Sequence, residues 1–284
     1  MIGTVGDLVE DIAVRLDETV NIASDTSAQI FRRRGGSAAN MAVAVVDSGG
    51  LARFIGQVGD DAVGGWLVAQ LAHAGVEPVV RRGGRTGTIV VLVDVAGERT
   101  MLTDRAACAD LDAPDPSWLD GLTALHVPLY SLIGGSLAGT ATTLIGWAHE
   151  RQITVSIDAS SAAVIAQHGV IATLELLAGL RPTLLLCNDD EARVLGGEAS
   201  LRPIASAAAI VKQGAEPTLL MLPGASTIVV PVPPLAGVRD TTGAGDAFAA
   251  GVLVARADGS DWPDAVRAGQ RSARVAIERV SAIV

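Results

Sequence analysis

The sequence predicts an α/β protein with a central, mostly parallel sheet flanked by helices and a small β-sheet beside it. Three observations lead there. Of 284 residues, 49% are hydrophobic but only 3% aromatic, with 32 glycines; a core of Ala, Val, Leu and Ile suits strands buried on both faces. From about residue 122, strand-like runs alternate with helix-like runs, the rhythm of βαβ units. Two stretches with period-two alternation, about 12–34 and 87–104, fall outside that rhythm. They predict a separate sheet able to act as a lid, since ligands sit at the C-terminal strand ends of such folds. No 20–50-residue repeat is visible, and the chain reads as one domain, 1–284.

The elements follow in order. Residues 2–6 form a short strand, and the alternating runs at 12–16 and 29–32 supply the first half of the lid. Gly35-Gly36 ends them. A helix over 37–47 follows, capped by Ser37 and stopped at Gly49-Gly50. A strand at 53–56 leads to a helix at 62–74, and 87–104 folds as a hairpin around Ala96-Gly97-Glu98. Strands are then expected at 122–127, 154–157, 183–186 and 218–222. Helices are expected around 137–150, 161–178, 189–195, 203–213, 243–257 and 263–279.

The charge balance excludes some functions. A net charge of −10 gives no electrostatic footprint for nucleic acid. Residues 121–149 contain no charged side chain and are long enough to span a bilayer. Pro128 and Gly134-Gly135-Ser136 divide them into a strand and a helix, so no membrane partner is expected. The N-terminus has no basic segment followed by an apolar one, so no secretory signal is read. Cys108 and Cys187 lack CxxC spacing and read as buried small hydrophobes in a reducing, cytoplasmic setting. There is one lysine, Lys212, so any lysine chemistry must use it.

The most informative segment is Asp240-Thr241-Thr242-Gly243-Ala244-Gly245-Asp246-Ala247-Phe248. A glycine-rich turn runs straight into a helix, whose first N–H groups make an anion site without any side chain. Asp246, in the first helical turn, is either a cap or a general base beside that site. Lys212 is followed by Gln213, so there is no Walker A loop, and Phe248 breaks a dinucleotide fingerprint.

This segment resembles the second signature of the ribokinase-like (PfkB) carbohydrate kinases. Four further motifs, in family order, strengthen the resemblance. They are Gly6 followed by Asp11, Gly35-Gly36-Ser37-Ala38-Ala39-Asn40, Gly56 to Gly64, and Asn188-Asp189-Asp190-Glu191. The resemblance implies a ribokinase-like fold with a β-lid, and an ATP-dependent, Mg²⁺-assisted kinase acting on a hydroxymethyl group of a sugar or sugar-like molecule. It implies Asp246 as catalytic base, with Thr242, Gly243, Ala244 and Gly245 as the phosphate-binding anion hole. Asp11, Gly35, Gly36 and Asn40 would contact substrate. Asn188 and Glu191 would organise Mg²⁺ and phosphate through water, and no direct protein ligand to the metal is assigned. Arg105, returning from the lid hairpin, either binds a substrate carboxylate or phosphate or forms a surface salt bridge.

The family usually carries a Gly-x-x-Gly turn that contacts ATP after the strand matched to 218–222; this chain has Pro223-Gly224-Ala225-Ser226 there. The few residues after Ser281 predict weak or no activation by K⁺. An exposed lid edge could pair two chains as a homodimer. Three alternatives remain. The nearest is a nucleoside kinase of the same fold, favoured by an apolar slot for a base. A serine hydrolase would use Ser37 or Ser136, whose surroundings nearly match G-x-S-x-G. A sugar-binding protein without catalysis is the third.

Overall fold

The computed structural model describes residues 1–238 and 240–281. The first half of the chain contains β1 (Ile2–Val5), β2 (Val9–Leu16), β3 (Ala28–Gly35), α1 (Ser37–Asp47), β4 (Ala52–Val58), α2 (Ala62–His73) and β5 (Glu77–Arg82). It continues with β6 (Thr88–Val93), β7 (Arg99–Asp104), β8 (Ala124–Pro128), α3 (Gly135–Glu150) and β9 (Thr154–Asp158). The second half contains α4 (Ala162–His168), α5 (Val170–Leu180), β10 (Leu184–Asn188), α6 (Asp189–Val194), α7 (Glu198–Leu201) and β11 (Ala208–Gln213). It closes with β12 (Glu216–Met221), β13 (Ile228–Val230), α8 (Ala244–Ala257) and α9 (Trp262–Ser281).

Nine strands form the main sheet in the order β13-β12-β11-β10-β9-β8-β1-β4-β5. All neighbours pair in parallel except β12 with β11 and β13 with β12 at one edge. Period-two alternation divides each central strand between two apolar layers. Leu184 and Leu186 of β10 face the layer of α1, α2 and α8, while Leu185 and Cys187 face that of α3 to α6. Helices therefore cover both faces, as predicted for a buried parallel sheet. Both cysteines are buried and free.

The two off-rhythm stretches form the second sheet, in the order β3-β2-β6-β7. Its register places Arg33, Asp11, Ile89 and Thr103 in one cross-strand row. Side chains alternate between faces, so Asp11, Ala13, Phe31, Val91 and Met101 share one face. Ile12, Val14, Ile30, Val90 and Leu102 share the other.

The structure corrects several expectations. Residues 203–213 do not form a helix: Ala208–Gln213 is strand β11, paired in parallel with β10. Ala208-Ala209-Ile210-Val211 is buried on both sides, and a run apolar on both faces has no period to separate strand from helix. The last parallel strand is thus β11, and 218–222 belongs to the antiparallel return strand. The turn that follows β11 is Gly214-Ala215, not Pro223–Ser226. The helix expected over 161–178 is α4 and α5, bent by 100° about Gly169. Strand β5 has no counterpart among the expected elements. Ser37 is the first residue of α1 and makes no capping bond; Gly36 occupies the cap position. No single helix among the described residues is long and apolar enough to cross a membrane. The K⁺ expectation depends on residues after Ser281, which lie outside the described residues.

Candidate active site

Helices α1 and α8 begin side by side. At the start of α1, Gly36 has φ +99°, and a Cβ there would lie 2.2 Å from the Asp7 carbonyl oxygen; only glycine lets the chain turn this tightly into the helix. The Ser37 hydroxyl, free of a capping role, donates to Asp246 Oδ1 at 2.6 Å. Helix α8 starts after Gly243, which is left-handed at φ +76° and leaves Asp246 in the first turn. Burial drives the Asp246 carboxyl up to about 7, and the Asp158 charge adds to the rise; the Ser37 hydrogen bond, Lys212 and Asn40 oppose it. A carboxyl that ionises near neutrality, at the positive end of a helix, is suited to take a proton.

The loop before α8 is tied to the second sheet. Thr242 donates through its backbone N–H and hydroxyl to Asp240 Oδ1, at 2.8 and 2.7 Å. Arg99, at the start of β7, pairs with Asp240 Oδ2 at 2.8 Å and donates to Thr242 Oγ1 at 2.6 Å. Burial raises the Asp240 carboxyl, but the Thr242 hydrogen bonds and the Arg99 charge hold it below the ordinary value. Within the turn, the Ala244 N–H points back to the Thr241 carbonyl at 3.1 Å.

Strand ends supply a charged floor. Asp158, ending β9, accepts from Lys212 Nζ at 2.6 Å, with the two side chains 14% and 15% exposed. Lys212 lies directly beneath the glycine turn, 3.4 Å from where a Cβ on Gly245 would sit. Glu191 and Asn188 form the capping box of α6: Asn188 N–H and Nδ2 donate to the two Glu191 carboxylate oxygens at 2.8 and 2.7 Å. Burial and, after it, the neighbouring Asp158 charge lift Glu191 to about 7, against the Asn188 hydrogen bond and the Lys212 charge. Among the described residues, no group of three His, Cys, Asp or Glu is arranged to hold a metal ion.

The second sheet and α1 close the remaining side. A cleft of about 360 Å³ is lined by Asp11, Asn40, Thr242 and Gly243, and by four arginines, Arg33, Arg34, Arg271 and Arg279. Asp11 Oδ2 pairs with Arg33 at 3.0 Å, and its Oδ1 is buried without a partner. Asn40 Oδ1 accepts from Arg34 at 2.9 Å. Gly35 packs against Asp11, where a Cβ would come within 2.8 Å of the Asp11 Cβ. Arg105 points elsewhere: Nε and Nη2 donate to Asp7 at 2.7 and 2.8 Å, Nη1 faces the Ile133 carbonyl, and the residue does not line the cleft. It takes the ion-pair option left open by the sequence.

Asp11, Asn40, Thr242 and Gly243 therefore line one cleft, with Asp246 bonded to Ser37 beside it. The motifs do not reach Asp158, Arg34 or the Ser37 contact, and they mark Lys212 only as the single lysine. Asp158 has a usable signal, an acidic residue at the C-terminal end of a predicted parallel strand.

A parallel sheet carrying a carboxyl at a glycine-rich helix start is the architecture of a sugar-kinase class, and the chain belongs to that class. Its sequence matches the pfkB family of carbohydrate kinases over residues 4–284, and it is a member of that family. It is accordingly a phosphotransferase with an alcohol acceptor, a sugar or nucleoside kinase. It is 30% identical over 255 residues to a fructokinase of Klebsiella pneumoniae, covering 84% of this chain and 81% of that protein. It is 27% identical over 253 residues to ribokinase of Bacillus subtilis, covering 86% and 80%. The fold superposes on adenosine kinase from Sinorhizobium meliloti with a TM-score of 0.86 at 23% identity, covering 98% and 93% of the two chains. Family membership overturns the serine-hydrolase reading. The structure agrees: Ser136 lies exposed in the first turn of α3, while His149, in its last turn, bonds the Leu180 carbonyl.

Proposed function

We propose that the protein is an ATP-dependent kinase that phosphorylates a hydroxymethyl group of a small sugar-like molecule. The observation that supports this most is the Asp246 carboxyl, raised to about 7 at the N-terminus of α8 beside the Gly243-Ala244-Gly245 turn. Asp246 takes the proton of the attacking hydroxyl. The amides of Gly243 and Gly245 meet the negative charge that develops on the transferred group; the Ala244 N–H and the Thr242 hydroxyl, expected to join them, are taken by the Thr241 carbonyl and Asp240. Asp11 and Asn40 hydrogen-bond acceptor hydroxyls, and the Gly35-Gly36 backbone lets the acceptor lie close. The buried, unpartnered Asp11 Oδ1 suits this role, because a buried acceptor calls for a donor. The four-stranded sheet works as the lid of one ribokinase-like domain and excludes water from the transfer.

The residues present fit Mg²⁺ held through water. Asp158, Glu191 and Asp246 face a single Lys212, and the repulsion that helps lift Glu191 and Asp246 marks negative charge that a cation would relieve. Mg²⁺ keeps most of its waters, so Asn188 and Glu191 would reach it without direct ligation. When bound, it neutralises phosphate charge.

A nucleoside acceptor is the second reading, supported by the apolar Phe31–Ala13–Val91–Met101 row on the lid face that carries Asp11. The opposite lid face, with exposed Ile30 and Leu102, would join two chains as a homodimer, and the free buried cysteines suit a cytoplasmic protein. The experiment is a screen of sugars, sugar acids, sugar phosphates and nucleosides for coupled ADP release, with Asp246→Asn as control. An acceptor turned over by the wild type and not by Asp246→Asn supports the assignment. Turnover unchanged in Asp246→Asn overturns it.

A further inference from the structure

The cleft's charge runs against that of the whole molecule. The chain carries a net −10, yet four guanidinium groups face two carboxylates, Asp11 and Asp47, in the cleft lining. Concentrating one sign of charge in a concave site attracts the opposite sign in its ligand.

Two of the four arginines already have carboxylate partners. Arg33 pairs with Asp11, and Arg279 pairs with Asp47. Arg34 does not. Partly buried at the end of β3, it makes one hydrogen bond, to the neutral Asn40 amide oxygen, although a guanidinium carries five N–H donors. Among the described residues no carboxylate lies within ion-pairing distance of it. Burial lowers its pKa, while the more distant charges of Asp246 and Asp47 raise it. Arg271, on α9, reaches the same cleft with no hydrogen bond or ion pair among the described residues. A partly desolvated guanidinium bonded only to a neutral amide is incomplete, because its strong partners are carboxylate and phosphate.

The cleft runs along one helix. Asn40, Val43, Ala44 and Asp47 line it along α1. At the helical rise this row spans about 10 Å. One end lies at Asn40, Arg34 and Gly243, beside Asp246, and the other lies at Asp47 and Arg279.

We propose that the acceptor is an anionic sugar, whose carboxylate or phosphate is held by Arg34, with Arg271 adding positive charge to the same cleft, while its reacting hydroxyl lies between Asn40 and Asp246. This rests on the kinase reading above and adds the substrate class. No covalent step changes, since the anionic group is a handle and does not react. Arg34 is thereby a specificity-determining residue. Its bond to Asn40 also links handle to hydroxyl end, so the anion and the acceptor hydroxyl are read together.

The test has two arms. In the first, binding of D-gluconate, D-fructose 6-phosphate and neutral D-fructose to the Asp246→Asn protein is measured by calorimetry, which does not require turnover. At least one anion is expected to bind ten-fold or more tighter than fructose, weakening as salt rises. Arg34→Gln and, separately, Arg271→Gln should remove that preference, with about 10- to 100-fold loss for Arg34→Gln, as for a charge-assisted contact. The carboxylate and phosphate probes show which anion is meant. In the second arm, the same compounds are acceptors for the wild-type kinase. Arg34→Gln should raise KM for the anionic acceptor and leave KM for ATP unchanged.

Equal or better binding of fructose, or an anion preference intact in both variants, overturns the proposal while leaving the kinase reading in place. A rise in KM for ATP equal to that for the acceptor overturns it too, by assigning Arg34 to the nucleotide. If anions bind as expected but no compound in the broader acceptor screen is phosphorylated, the kinase reading fails and the anion site stands.

Discussion

Two carboxyls of the candidate site, Asp246 and Glu191, are brought near neutral pH by burial and by sharing Asp158 as a neighbour, with Lys212 working against the rise. For Asp246 this sets a pH dependence. The base acts only when ionised, so kcat/KM should fall about ten-fold per pH unit below roughly 7 and level off above it. Asp246→Asn keeps the shape and the Ser37 contact but cannot take a proton. Its kcat should drop about 10²- to 10⁴-fold, with nucleotide affinity little changed. A rate within about five-fold of wild type would fall short of a general base. Glu191→Gln should retain the acid limb, which separates the two groups. Lys212 gives a signed test of the same network. Removing its positive charge in Lys212→Met leaves Asp158 unpaired beside Asp246, so the acid limb should move to higher pH. Lys212→Arg, which keeps the charge, should leave the limb near its original place. An unmoved limb in Lys212→Met would show that the floor charges do not act on the base.

Between elements, the contact most exposed to test is the one joining the second sheet to the loop before α8 at Arg99. Its pair with Asp240 and bond to Thr242 tie the start of β7 to the loop that presents the glycine turn. Arg99→Ala should loosen the lid there and admit water to the transfer. The expected result is about ten-fold lower kcat/KM, an order expected for losing a charge-assisted bond. ADP release should also rise relative to phosphorylated product; a strict one-to-one ratio would show that this tie does not exclude water. The elements also show which parts of the molecule can be read from sequence. The lid strands are legible because alternation is a local signal, and α8 because glycines and Asp246 mark its start. Strand β11 is not, since Ala208–Val211 is apolar on both faces, and mistaking it for a helix displaces the turn after it. Asp158 and Lys212 become neighbours only through the register of β9, β10 and β11, which no local pattern encodes. Arg34 precedes a recognisable glycine pair but belongs to no motif; its meaning comes from the cleft and from the missing partner.

For the molecule as a whole, the same raised carboxyls set a stability cost that pH exposes. A carboxyl whose folded pKa lies near 7 and whose unfolded value is near 3.8 holds its proton more tightly in the native state. Its contribution to stability is complete below about pH 4 and is lost as pH rises through 7. Glu191 acts in the same direction. Other carboxyls act in the opposite sense: Asp61, lowered by hydrogen bonds from Thr86 and Gly64, stabilises above its unfolded value and loses that contribution in acid. A comparison of variants isolates Asp246 from this background. Asp246→Asn cannot ionise and keeps the Ser37 donor satisfied, so it should match the wild type near pH 4. By pH 8 it should be more stable by on the order of a few kcal/mol, because a ten-fold difference in proton affinity between the folded and unfolded chain corresponds to about 1.4 kcal/mol. The gap should open between pH 4 and 7 and then stay level, and adding Glu191→Gln should change the curve again over the same interval. Urea midpoints at pH 4, 6 and 8 measure it. A gap that is constant with pH would mean that Asp246 is not held protonated by the fold. Its fitness as a base near neutrality, which depends on the same burial, would then lose its physical ground.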